Sequence, residues 1–245
     1  MLLETKKQFF NELDSKAKKI AEIHYSGNNI TIEILSTIKE LYNSANVEKT
    51  FNDNFESAYH QPITSDLEFF IARIFHWISE KNNLGWKIFL RRQFKKNNHS
   101  ITPDIRIDKE NKTIAILEIK AKAGWMQPYL SKTRKEKDIQ KGQKEHTEQL
   151  IKKINNQLKK YSDGFQIPPN KVYMILPTLI HVSRVKGNEK YEDFKKTFRE
   201  HSNLPEKNLI IFSKNLNLDL AKNKNQPLDE TNEIENLIKD LQINA

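Results

Sequence analysis

Hydrophobic residues recur along this chain with two different periods, and the changes of period mark out its elements. Leu3, Phe9, Phe10, Leu13, Ala17, Ile20 and Ala21 stand at near-helical spacing and predict an amphipathic helix over residues 1–25. Gly27-Asn28-Asn29 interrupts it. Ile30, Ile34, Leu35, Ile38, Leu41 and Tyr42 then predict a second helix capped by Asn28 or Asn29. Phe51, Phe55 and Tyr59 predict a short further turn of helix before Pro62. Ser65-Asp66-Leu67-Glu68 has the form of a capping box, and the helix it opens runs to about Asn82 with an apolar face of Leu67, Phe70, Ile71, Ile74, Phe75 and Ile78. Trp86 to Phe94 predicts the first strand, after a turn at Asn82 to Gly85.

The period then falls to two. Ile101, Ile105 and Ile107 alternate with Thr102, Asp104 and Arg106, and Thr113 to Ala121 is a second run of β-branched and apolar residues across a polar turn at Asp108 to Lys112. With the turn centred on Asn111, directly opposed residues have numbers summing to 222, and Asp104 falls across from Glu118. Opposed side chains share a sheet face, and Lys120, two residues on, points the same way. Ile114 and Ile116 are expected on that face, with Ala115, Leu117 and Ile119 on the other, so the strand is covered on both sides. Two carboxylates in such a place repel one another and resist desolvation, and a divalent cation is the usual way to hold them ionised. Hard carboxylate oxygens suit Mg²⁺ or Mn²⁺.

Beyond the hairpin, Lys132 to Lys160 reads as a basic helical segment, with ten Lys or Arg against four acids and a buried stripe of Leu150, Ile151, Ile154 and Leu158. Val172 to Ile180 predicts an apolar strand ending at Pro177. Tyr191, Phe194 and Phe198 predict a helix, Leu209 to Phe212 a short strand, and Ile234, Leu237, Ile238 and Leu241 a closing amphipathic helix. This order predicts an α/β fold, a mixed central sheet flanked by helices. Residues 1–62 form an N-terminal helical region on the core, 63–215 the core, and 216–245 a helical tail, expected to pack on a neighbouring subunit.

Charge and composition narrow the chemistry. Lys and Arg total 41 against 32 acids, a formal charge of +9, which favours a polyanionic partner. The chain has no cysteine, which excludes disulfides, thiolate zinc sites and cysteine nucleophiles. Its six glycines build no phosphate-cradling loop, and its seven histidines show no H-E-x-x-H. No apolar run approaches a membrane span and the N-terminus lacks a signal-peptide pattern, so the expected compartment is the cytoplasm.

Pro103-Asp104 followed by Glu118-Ile119-Lys120 resembles the motif of the PD-(D/E)xK nuclease superfamily, and the order of elements extends the resemblance from about Ser65 to Ser213. The resemblance implies a restriction-endonuclease-like core in which Asp104 and Glu118 bind Mg²⁺, for which Mn²⁺ can substitute. It also implies that the carbonyl of Ile119 completes the coordination and that Lys120 orients or activates the attacking water. Many members carry a Glu on the preceding helix; Glu68 is the candidate here, with pure helix capping as its other reading and Glu80 behind it. Gln157 and Tyr161 resemble the Q-x-x-x-Y element that a subset of the family places beside the active site. Lys122, Trp125 and Gln127 after the motif, and Arg91, Arg92 and Lys95 before it, are candidate DNA contacts. The implied activity is that of a type II restriction endonuclease, a homodimer acting on double-stranded DNA beside a companion methyltransferase and leaving 5′-phosphates. A repair, recombination or phage nuclease without fixed sequence specificity is the first alternative, and a non-cleaving DNA-binding protein of the same fold the second.

Overall fold

The computed structural model describes residues 2–44, 63–96, 99–120, 151–152, 154–178, 191–202, 204–214 and 229–244. Two helices open the chain, α1 (Leu2–Tyr25) and α2 (Thr31–Ser44), on either side of a turn that Gly27 makes at φ 78°. The first amides of α2 are satisfied twice over. Asn29 Oδ1 accepts from Thr31 N at 2.8 Å, and the carboxylate of Glu235 accepts from the amides of Ile30 and Thr31 at 3.1 and 3.0 Å. Helix α3 (Thr64–Asn82) begins on Ile63 without a side-chain cap and ends on Asn83 in the left-handed conformation. The capping box expected at Ser65 to Glu68 is therefore not formed: the helix is capped at Ile63, two residues earlier than the box requires, and Glu68 is buried and turned to another partner.

A five-stranded sheet follows. Strand β1 (Lys87–Leu90) stops where Arg91 takes φ 44°. The expected single strand to Phe94 is thus divided, and β2 (Phe94–Lys96) pairs with β3 (His99–Ile101) in a separate ribbon. Ile101 belongs to that ribbon and not to the hairpin; Thr102, Pro103 and Asp104 lie between β3 and the hairpin strand β4 (Ile105–Lys109). Strand β5 (Lys112–Ile119) returns antiparallel, through a two-residue turn in which Glu110 and Asn111 both have positive φ, the twist that matches a hairpin. The described part of helix α4 covers 151–152 and 154–165. Strands β6 (Val172–Thr178) and β7 (Leu209–Ser213) extend the sheet in parallel, giving the order β1-β4-β5-β6-β7. Helix α5 (Tyr191–His201) lies between them in sequence, and α6 (Glu233–Asn244) closes the chain.

The hairpin register is 222 from Ile105↔Leu117 to Ile107↔Ala115, as the sequence predicts, although the turn centres between Glu110 and Asn111. A β-bulge reconciles the two. Asp108 pairs with Thr113 while Ile107 pairs with Ala115, so Ile114 is the extra residue. Ile114 consequently packs with Ala115, Leu117 and Ile119, and not beside Ile116 as strict alternation predicts.

Each sheet face buries its own core. Ile105, Ile107, Leu117, Ile119, Ile175 and Phe212 face α1, α2, α3 and α6, while Ile116, Val172, Met174 and Ile211 face α4 and Phe198 of α5. The closing helix packs into this chain's own core through Ile234, Leu237, Ile238 and Leu241. It is tied down by a buried ammonium. Lys195 Nζ lies 2.6 Å from a Glu233 carboxylate oxygen and donates to the Leu209 carbonyl at 2.7 Å, linking α5, β7 and α6. Among the described residues no helix is long and apolar enough to cross a membrane.

Candidate active site

The site forms where the chain enters β4 and leaves β5, at the rim of the sheet away from the hairpin turn. Asp104 is fixed there through its backbone and its side chain. The Arg91 amide donates to its carbonyl at 2.9 Å, and the Ile119 amide donates to its Oδ2 at 2.7 Å. Glu118, with a side chain 3% exposed, lies on the same sheet face as Ile116. The Lys120 amide extends the parallel ladder to Ile175, and its ammonium turns back to pair with Glu118 Oε1.

Helix α4 completes the surroundings of Glu118. Leu158 and Ile154 anchor the helix in the core, and the turns beside them carry two polar groups onto the carboxylate. Gln157 Nε2 donates to Glu118 Oε1 at 2.9 Å, and the Tyr161 hydroxyl donates to Oε2 at 2.7 Å. The two are also in contact with each other at 3.0 Å. From α3, Glu68 approaches the same place with a side chain 2% exposed, held by the fork of Arg91, whose Nη2 donates to Oε1 at 2.8 Å.

The electrostatics follow from this crowding. Burial, and then the negative charge of Glu118, push the Asp104 carboxyl up to about 7; the Ile119 amide and the Lys120 charge pull the other way, and Glu68 adds to the rise. Burial, followed by the charge of Glu118, also raises the Tyr161 hydroxyl, which stays a neutral donor. The Arg91 guanidinium is raised by its hydrogen bonds to Glu68.

Compared with protein-family models, curated proteins and solved structures, the chain matches none. The site is accordingly read from its own geometry.

Of the residues singled out in the sequence, the structure brings together Asp104, Glu118, Lys120, Gln157 and Tyr161, with Glu68 beside them. Ile119 contributes its amide to Asp104. Arg91 is engaged with Glu68, and Arg92 stands over the Phe89 ring at 5.2 Å. Lys95 lies on the ribbon opposite Ser100. Glu80 is exposed toward the other end of α3. Lys122, Trp125 and Gln127, most of the basic stretch from Lys132 and the turn expected at Phe51 to Tyr59 lie outside the described residues. What the sequence did not reveal is the pairing of Arg91 with Glu68. It depends on the positive φ of Arg91, for which a sequence without glycine gives no signal.

Among the described residues no group of three His, Cys, Asp or Glu gathers as a ready-made metal cluster. Asp104 and Glu118 nonetheless form a hard-oxygen pair whose mutual repulsion a divalent cation would relieve. In chemical type the donors fit Mg²⁺ or Mn²⁺, with the Ile119 carbonyl and water or substrate oxygens as further ligands.

Proposed function

We propose that this protein is a Mg²⁺-dependent deoxyribonuclease of the PD-(D/E)xK type, its mixed sheet being a restriction-endonuclease-like core. The observation that carries the reading is the convergence of Asp104, Glu118 and Lys120 at one rim of the sheet, with Gln157 and Tyr161 bonded to the same carboxylate. A solvated charged strand end, the ordinary reason for a Glu and a Lys two residues apart, does not bury the Glu and surround it with three donors.

Asp104 and Glu118 would hold the metal together with the Ile119 carbonyl. A bound Mg²⁺ or Mn²⁺ supplies a water of lowered pKa and stabilises charge on the phosphate and the leaving oxygen. The chain's own groups do the rest. Lys120, 24% exposed, is placed to orient the attacking water and to offset the charge that grows on the phosphate. Gln157 and Tyr161 fix the Glu118 rotamer, so the carboxylate is oriented before substrate arrives. The excess of positive charge over the chain suits a DNA backbone.

Within this chemistry we favour a type II restriction endonuclease, a homodimer cutting double-stranded DNA to 5′-phosphates and accompanied by a methyltransferase. The elaboration of the sheet by α1 and α2 on one side and α6 beyond β7 supports this form. The test is digestion of unmethylated phage DNA with Mg²⁺, with EDTA, and with Glu118→Ala. Discrete, metal-dependent fragments absent from the variant are expected. A smear would move the reading to a repair, recombination or phage nuclease, and salt-sensitive binding without cleavage would leave a DNA-binding protein.

A further inference from the structure

Arg91 touches two carboxylate-bearing arms of the site: its amide holds the Asp104 carbonyl and its guanidinium holds Glu68. Its two contacts differ in accessibility. Glu68 is 2% exposed and Arg91 is 51% exposed, so the pair presents to solvent only the cationic side of an otherwise buried bridge. The positive φ of Arg91, uncommon for a residue with a Cβ, is what turns its side chain back toward α3. Among their described contacts, neither group has another ion-pair partner.

We propose, building on the nuclease reading of this site, that Arg91 is a positioning residue that latches Glu68 in the free protein and exchanges it for a DNA backbone phosphate. A guanidinium fork fits a carboxylate and a phosphate equally well, and Arg91 stands half exposed at the end of β1, where its side chain can swing the Nε–Nη2 edge from Glu68 to a phosphate without any rearrangement of the strand. Glu68 released in this way cannot remain alone, because a buried carboxylate stripped of its partner is strongly unfavourable. The compensating positive charge available at the Asp104 and Glu118 pair is the divalent cation. Phosphate binding and metal binding are thereby coupled: DNA takes the arginine, and the freed carboxylate strengthens the metal site. By linkage, the metal must tighten DNA binding by the same factor. In the free protein the latch keeps the site one carboxylate short.

The test is calorimetric titration of Mn²⁺ into the protein, with and without a short duplex of arbitrary sequence confirmed intact afterwards. Arbitrary sequence suffices because phosphate contacts carry no sequence information. The wild type is expected to bind Mn²⁺ about tenfold more tightly with the duplex present. Arg91→Ala should bind Mn²⁺ about tenfold more tightly than the wild type without DNA, since a nearby cation is gone, and should gain nothing from the duplex. Glu68→Gln leaves no buried charge and so guards against misfolding. By the same charge argument it should bind Mn²⁺ more weakly than the wild type without DNA, and it should likewise lose the coupling. If both variants keep the wild-type coupling while the wild type binds Mn²⁺ and cuts DNA, the latch is wrong and the nuclease reading stands; if the wild type binds no Mn²⁺ under any condition, both fall.

Discussion

Asp104→Asn is expected to make the metal-free protein more stable, and the size of the effect can be worked from the site. In the folded chain the Asp104 carboxyl is raised from an ordinary 3.8 to about 7, chiefly by burial and secondly by Glu118. A raised acid binds its proton more tightly folded than unfolded, so its contribution is full below about pH 4 and is lost as pH rises to about 7. The difference corresponds to roughly 4 kcal/mol at most between those limits, because Asp104 and Glu118 share the burden. Asparagine has nearly the same shape, can keep the acceptor for the Ile119 amide and carries no charge. In EDTA at pH 8, Asp104→Asn should therefore exceed the wild type by about 2–4 kcal/mol, or about 5–10 °C in midpoint for a chain of this size. At pH 5 the two should approach one another. Urea unfolding across that range, measured for both proteins, reads the difference directly. Mg²⁺ should restore the wild type at pH 8 and leave the variant unmoved, because only the wild type keeps both ligands. A variant less stable than the wild type at pH 8, or a stability difference that does not change with pH, would refute the claim that the two carboxylates are crowded together.

Two further outcomes separate the site from its scaffold. Tyr161→Phe removes the donor to Glu118 Oε2, and should cost about 1–3 kcal/mol in urea unfolding and at least tenfold in the rate of DNA cleavage; an unchanged rate would remove Tyr161 from the site. Glu235→Ala strips the cap shared by the amides of Ile30 and Thr31 and by the Thr31 hydroxyl, and should cost about 1–2 kcal/mol while leaving duplex affinity in a gel-shift assay unchanged.

The helices were legible because their apolar residues recur over many turns: α1, α2, α3, α5 and α6 all stand where the spacing of residues such as Leu13, Ile34, Phe75, Phe198 and Leu237 places them. The register of 222 was reached for a reason the sequence does not show: the turn alone sets 221, as Asp108 against Thr113, and the bulge at Ile114 adds the residue that brings Ile105 opposite Leu117, with Asp104 just beyond the paired strands on the Ile119 amide. Local signals misled where tertiary contacts outweigh them. Ser65 and Glu68 have the spacing of a capping box, yet the amides at the start of α3 go without a side-chain cap and Glu68 is drawn to Arg91. The run from Trp86 to Phe94 is apolar enough for one strand, but a single left-handed residue splits it and creates the β2–β3 ribbon. Glu235 as the cap of α2 could not be anticipated at all, because its partners lie some two hundred positions away in sequence.

The bulge at Ile114 sets the phase of the whole site. Were Ile114 paired in the ladder instead of bulged, the turn's own register, in which Asp108 meets Thr113, would continue along the strands and set Asp104 against Leu117. Directly opposed side chains share a face, so the two acids would then stand on opposite sides of the sheet, one toward α4 and the other toward α3. The chemistry at the rim therefore depends on a parity fixed near the turn: loss of Ile114 itself would remove the bulge and leave Ala115 against Ile107, whereas one residue added between Ala115 and Glu118 would reverse it. A protein with one residue added between Ala115 and Glu118 has the same strands, the same helices and the same acids in its sequence, and no place where they meet.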